Sequence, residues 1–194
     1  MNRILQKSLS TAFIISVLMI VGCGKKEEGE ILPEGPPIST APNFRGVDFT
    51  DTRHGISFSY YPEYKEIHRD EKGVIFSKEG TKERIVVIVW NLDLNIYLWY
   101  VETFAQPLSL KRQLRKELKV LDEIVSYRVL EKEGADTFLF TTKRNLSGLY
   151  NQRLELFPKE QPLQISFLFQ HEKEDDPKVL DMIGSIKIIT SSKE

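Results

Sequence analysis

Cysteine occurs once in this chain of 194 residues, and histidine three times. A lone thiol excludes a disulfide framework and any zinc site built from several thiolates. Neither sign of charge dominates. With 27 basic and 28 acidic side chains, the chain lacks the basic footprint of a nucleic-acid binder, and no nucleic-acid partner is expected. Long apolar runs are missing too: the longest, residues 11–21, is about half of what a hydrocarbon core of about 30 Å requires. What remains is an ordinary globular composition, 41% hydrophobic and 28% charged. That balance excludes collagen, low-complexity disorder and a multi-span membrane protein.

The short apolar run has the anatomy of an export signal. Arg3 and Lys7 precede it, and it ends Ile20-Val21-Gly22-Cys23-Gly24. The ending resembles a bacterial lipobox, in which small residues before a cysteine admit lipoprotein signal peptidase. The resemblance implies cleavage of residues 1–22, a diacylglycerol thioether on Cys23 and acylation of its new amino group. Two or three acyl chains anchor stably where one is marginal. Partners would then begin with a membrane, engaged through the acyl chains on Cys23, in the bacterial cell envelope. Gly24, where aspartate would signal retention in enterobacteria, favours the outer membrane over the inner. Cleavage would remove two bases and no acid, leaving 25 basic against 28 acidic residues.

Residues 24–45 hold four prolines, three glycines and many charges. Too few apolar groups remain to repay ordering, and the segment reads as a linker following the lipidated cysteine. A single α+β domain is expected over residues 46–190, with 191–194 as a tail. Period-two alternation predicts strands over 47–51, 56–61, 65–69, 74–78, 84–91, 124–132, 137–143, 149–157 and 163–170. Residues 84–90 are apolar on both faces and should form a central strand covered on each side. Asn145-Leu146-Ser147-Gly148 is hairpin chemistry.

Helical spacing appears three times. Leu94, Tyr97, Leu98, Val101, Phe104 and Ala105 share one face, and Leu110, Leu114, Leu118 and Leu121 form a second stripe entered through Pro107. The third helix starts at Asp175-Asp176-Pro177 and carries Val179, Leu180, Met182 and Ile183. A last strand is expected over 185–189.

Two stretches resemble the PsbP-like family, which includes an extrinsic photosystem II protein, a eukaryotic Ran-binding relative and many bacterial lipoproteins. They are Gly55-Ile56-Ser57-Phe58-Ser59-Tyr60-Tyr61-Pro62 and the segment from Val179 to Ile188. Tyr64 stands where these proteins often carry tryptophan. The resemblance implies an antiparallel β-sheet flanked by helices, an α/β/α sandwich, and a role in binding or assembly instead of catalysis. An envelope protein is the partner this implies.

No motif asks for a metal or a cofactor. Asp175 stands where a zincin would need a second histidine after His171-Glu172. His68-Arg69-Asp70 copies a kinase triplet, but Ile75 replaces its asparagine. A hydrolase would have to bring His54 or His68 against a carboxylate and a serine. A carrier of a lipid or other apolar ligand would use aromatics such as Phe138, Phe140, Phe167 and Phe169 to line a cavity, although a sheet face must be filled in any case.

Two features are candidate partner-binding sites. Lys111, Arg112, Arg115, Lys116 and Lys119 oppose the second leucine stripe, and an anionic surface would relieve their repulsion. The plain alternative is a solvated helix face. Ile96 and Trp99 point away from the first helix's apolar stripe, and an exposed tryptophan suits an interface unless another layer covers it. Replacing Lys111, Arg112 and Arg115 with glutamine should weaken binding to anionic vesicles. Unchanged cosedimentation would assign those charges to solvation alone.

Overall fold

Along an extended chain successive side chains point to opposite faces, and residues 73–76 and 84–89, in two of the ten strands described in the computed structural model, bury every second side chain. The structure describes residues 33–35, 37–38, 44–106, 122–144, 147–174 and 176–189. Cys23, the signal segment, residues 107–121 with their five basic candidates, and the tail lie outside the described residues.

The strands are β1 (Val47–Asp51), β2 (Ile56–Tyr60), β3 (Tyr64–Arg69), β4 (Gly73–Lys78), β5 (Arg84–Asn91), β6 (Asp122–Lys132), β7 (Ala135–Arg144), β8 (Tyr150–Pro158), β9 (Leu163–His171) and β10 (Lys187–Ile188). Helix α1 (Leu94–Ala105) follows β5, and α2 (Pro177–Ser185) follows β9. Seven strands form one sheet in the order β3-β4-β5-β9-β8-β7-β6, and three form another, β1-β2-β10. All strand neighbours are antiparallel.

Register decides which side chains share a face. Val87 pairs with Val74 on β4 and Phe167 on β9, and Phe167 with Leu154 on β8. These residues, with Phe76, Ile85, Ile165 and Leu156, form one wall of the main core. The opposite wall is Phe49, Ile56 and Phe58 of the small sheet together with Val179, Met182 and Ile183 of α2. Helix α2 starts where the sequence places it: Asp176 caps Lys178 N at 3.0 Å, ahead of Pro177. Ser185 Oγ accepts from Ser59 N at 2.9 Å and so ties the helix to β2.

This corrects the expected α/β/α sandwich. The domain is mostly strand, with two antiparallel sheets and two helices among the described residues. One face of the large sheet is covered by a second sheet and α2. The reason lies in β1 and β2: their alternating Phe49, Ile56 and Phe58 offer an aromatic face that fills the space a helical layer would have taken. Strand β5 is also less covered than its sequence implies. Ile85, Val87 and Val89 are buried, but Val86 and Ile88 on the other side are half-buried and Trp90 is exposed. The final strand shortens to two residues, Lys187 and Ile188, paired with β2.

Two backbone details position the rest. Gly134 closes the two-residue turn between β6 and β7 at φ 79°, a left-handed conformation that glycine adopts without steric cost. Gly73 lies so close to β5 that a Cβ there would meet Val87 O at 1.9 Å. Gly73→Ala should therefore force β4 and β5 apart and lower stability by about 1–3 kcal/mol. A denaturation midpoint equal to wild type would show that the strands yield freely.

Candidate interaction surface

The face of the large sheet opposite the main core carries Phe138 and Phe140 on β7 and Phe157 on β8. Helix α1 lies on these rings. Its Asp93 N-cap accepts from Asn95 N at 2.9 Å, which starts the helix two residues after β5 ends. Tyr97, Phe104 and Tyr127 complete a second, smaller cluster of rings. Phe104 lies 5.5 Å from Phe157 and 5.9 Å from Phe138 in tilted contacts.

The orientation of α1 departs from its sequence pattern. Tyr97 and Phe104 face inward, but Leu94 and Leu98, expected beside them, are 61% and 56% exposed. Two hydroxyls explain the choice. Tyr97 Oη donates to Pro158 O at 3.0 Å, and Tyr127 Oη donates to Phe104 O at 2.5 Å. Rotating the leucines inward would break the first bond and leave a buried carbonyl unsatisfied. Ile96 and Trp99, the candidate interface residues, are 48% and 49% exposed, and Trp90 at the end of β5 is 47% exposed. On a helical wheel Leu94, Leu98, Val101 and Ala105 form one flank of the outer side. Ile96 and Trp99 form the other, with Asn95 and Glu102 between them.

Beside the first flank runs a groove of about 690 Å³ between α1 and the β6–β7 hairpin, lined by Val101, Ala105, Val129 and Phe138 among others. Val129 is itself exposed and extends the apolar strip from the helix onto β6. Lys132 and Lys159 mark the polar end, with Glu131 and Asp136. Lys132 Nζ donates to Ile186 O at 2.8 Å, and burial holds its ammonium down at about 8.

A buried carboxylate lies under the same sheet face and is not announced by any motif. Glu155 is fully buried on β8, opposite Phe138 and Ser166. Ser166 Oγ donates to it at 2.5 Å, Gln164 Nε2 at 2.9 Å, and Arg153 Nε closes the set. The guanidinium in turn lies 5.5 Å over the Phe140 ring. These bonds satisfy the charge from within the protein, which suits a structural role. The one available signal was its even spacing from Arg153 and Phe157, which sets all three on one strand face.

The other candidates separate. His54 Nδ1 lies 2.7 Å from Asp51 Oδ2. His54 lines a cavity of about 70 Å³ with Thr52, Arg53, Glu160 and Gln161, and no serine is among its described lining. Asp51 Oδ1 also accepts from the Arg53 and His54 backbone. Desolvation pushes the Asp51 pKa up, but these bonds and the imidazole outweigh it and the net shift is downward. His68 is exposed near Asp70, and His171 is buried against the Tyr150 ring at 6.4 Å. Phe138 and Phe140 lie on one face of the large sheet, Phe167 and Phe169 on the other, all packed among neighbouring rings. They line no common cavity. The five basic residues from Lys111 to Lys119 lie outside the described residues.

Part of the segment read as linker is attached to this region. Tyr127 N donates to Pro33 O at 3.0 Å, and Glu34 bridges Tyr127 in a parallel sense. Arg128 pairs with Glu34 at 3.1 Å and also donates to Gly35 O. Further along, Phe44 stacks on Tyr61 with ring centroids 4.4 Å apart.

No family model matches the chain, and no curated protein matches it. Among solved structures, the chain is similar to the Ran-binding protein Mog1p of Saccharomyces cerevisiae. There the identity is 10%, the match covers 76% of this chain and 97% of that one, and the TM-score is 0.46. A variant of Mog1 matches at 9% identity over 77% and 98% of the two chains, also at TM-score 0.46. A Bacteroides thetaiotaomicron protein matches at 9% identity over 78% of this chain and 51% of its own, at TM-score 0.42.

The depressed Lys132 ammonium has a signed consequence. The unfolded chain titrates this amine near 10.5 and the folded chain at about 8. Between those values the unfolded chain holds the extra proton, so this residue makes stability rise with pH over that window and its contribution is lost as pH falls through 8. Lys132→Met should flatten the rise in denaturation midpoint between pH 8 and 10 relative to wild type. Identical profiles would show that the amine is solvated in both states.

Proposed function

We propose that this chain is a bacterial envelope lipoprotein, held by acyl chains on Cys23, whose sheet domain is a non-catalytic binding or assembly module. The observation that carries the binding role is the outer side of α1. Trp90 and Trp99 are the exposed aromatics among the described residues, and Leu94, Ile96 and Leu98 of the same helix are exposed with them. Scattered single apolar residues need no explanation, but five large ones gathered on one short helix and the strand end before it favour an interaction site.

The anchor supplies location. Pro33 already touches β6, so nine residues, 24–32, separate Cys23 from the first described contact. As a coil they would span only about 15–18 Å. A surface held that near its target works at a high effective concentration, and modest affinity then suffices. The outer membrane is the location that Gly24 favours. A carrier of apolar ligands is less well supported, because its proposed cavity aromatics are split between two sheet faces.

Expression of Cys23→Ser in a bacterium should abolish acylation and leave residues 1–22 uncleaved, as read by the mass of the purified chain. The wild-type mature chain should weigh less by residues 1–22 and more by its acyl groups. A purified product that retains those residues and a free thiol would overturn the anchored reading.

A further inference from the structure

We propose that the outer side of α1 docks on the bilayer itself, so that the domain lies against the headgroups and does not hang free of them. The inference rests on the anchored reading above and adds the surface the domain meets. Its first support is composition. The patch contains Trp90, Leu94, Ile96, Leu98 and Trp99, Glu102 is the one charged residue along the exposed α1 surface past its cap, and Val129 carries the strip onto β6. Leucine on one flank of the helix's outer side and tryptophan on the other, with Asn95 and Glu102 between them, are side chains a membrane interface accepts, with the indole N–H left among the headgroups.

The second support is where the chain enters the domain. Pro33 and Glu34 lie along the outer edge of β6 at Tyr127, and the Tyr127 hydroxyl bonds to Phe104 O in the last turn of α1. The tether therefore arrives beside the C-terminal end of this helix. Nine residues separate that point from Cys23, enough for about 15–18 Å as a coil. The headgroup layer on one side of a bilayer already takes up about 5–8 Å of that reach. The anchored chain thus enters the domain next to α1, and docking would bury the leucines and both indoles in the one apolar phase close at hand. A soluble envelope protein has no comparable proximity imposed on it by the chain.

Trp90 and Trp99 are the two tryptophans of the whole sequence, so intrinsic fluorescence reads the patch directly. The experiment uses the full chain, purified from bacterial membranes and reconstituted into phosphatidylcholine vesicles with or without lipids brominated near the top of the acyl chains. Docking predicts that the protein floats with the vesicles, that brominated lipid quenches its emission, and that the vesicles shield it from aqueous iodide. Leu94→Ser combined with Leu98→Ser, two exposed sites outside the core, should reduce the docked population by about tenfold while flotation is unchanged. A protein that floats but is quenched by iodide and not by brominated lipid overturns the docking and leaves the anchor intact. Emission shielded from both quenchers, with Trp99 crosslinking to one protein in cells, overturns it in favour of a protein partner. A chain that does not float overturns the anchored reading together with the docking.

Discussion

Phe58 is where the two sheets meet. Its ring lies 5.3 Å from Phe167 and 5.8 Å from Phe76 on the large sheet, and 5.3 Å from Phe49 on its own. The contacts to the large sheet are edge-on, at 88° in both cases. Edge-to-face rings interlock in a way that aliphatic side chains do not, and they define a register between sheets that share few backbone bonds. Truncating such a ring would remove transfer energy and leave a cavity, at a cost of about 3–5 kcal/mol. The rest depends on this join, because it commits one face of the large sheet entirely to the interior.

With that face closed, the other face has to manage with less. Helix α1 covers only the part over β7 and β8, where Phe138, Phe140 and Phe157 are found. Toward β5 the cover thins: Val86 and Ile88 are half-buried and Trp90 is exposed. The buried Glu155 cluster lies between these zones, and its donors come from β8 and β9, so it ties strands whose apolar cover is running out. Such a network is rigid when every member is satisfied, and removing one partner is far more costly than never having had the charge. The apolar surface that α1 leaves exposed is thus a by-product of how the first face was filled.

Strands were legible because period two survives in the residues themselves: Ile56, Phe58 and Tyr60 alternate with serine and tyrosine, and β2 forms there. The α2 start was legible for a similar reason, since aspartate before proline is a local device that works within one turn. The inward face of α1 was not. Leu94, Tyr97, Leu98 and Phe104 are equally apolar to a pattern search, and only a hydroxyl that needs Pro158 O distinguishes them. Nor could spacing show that a second sheet, in place of a helix, would cover the main core. Ile96 and Trp99 were singled out as leaving the apolar stripe, and the structure places both at the surface; the five cations after Pro107 lie outside the described residues.

What the sequence determined by itself is local: which segments extend, which coil, where a helix can begin, and the resemblance of residues 20–24 to a lipidation signal. These follow from dihedral preference and side-chain period, whose range is a few residues. What the tertiary structure decided is partnership. It paired Pro33 and Glu34 with β6, turned Leu98 and Trp99 outward, and surrounded Glu155 with three donors. Each outcome depends on groups dozens of residues apart competing for the same buried space, and that competition is settled only when the whole chain has closed around it.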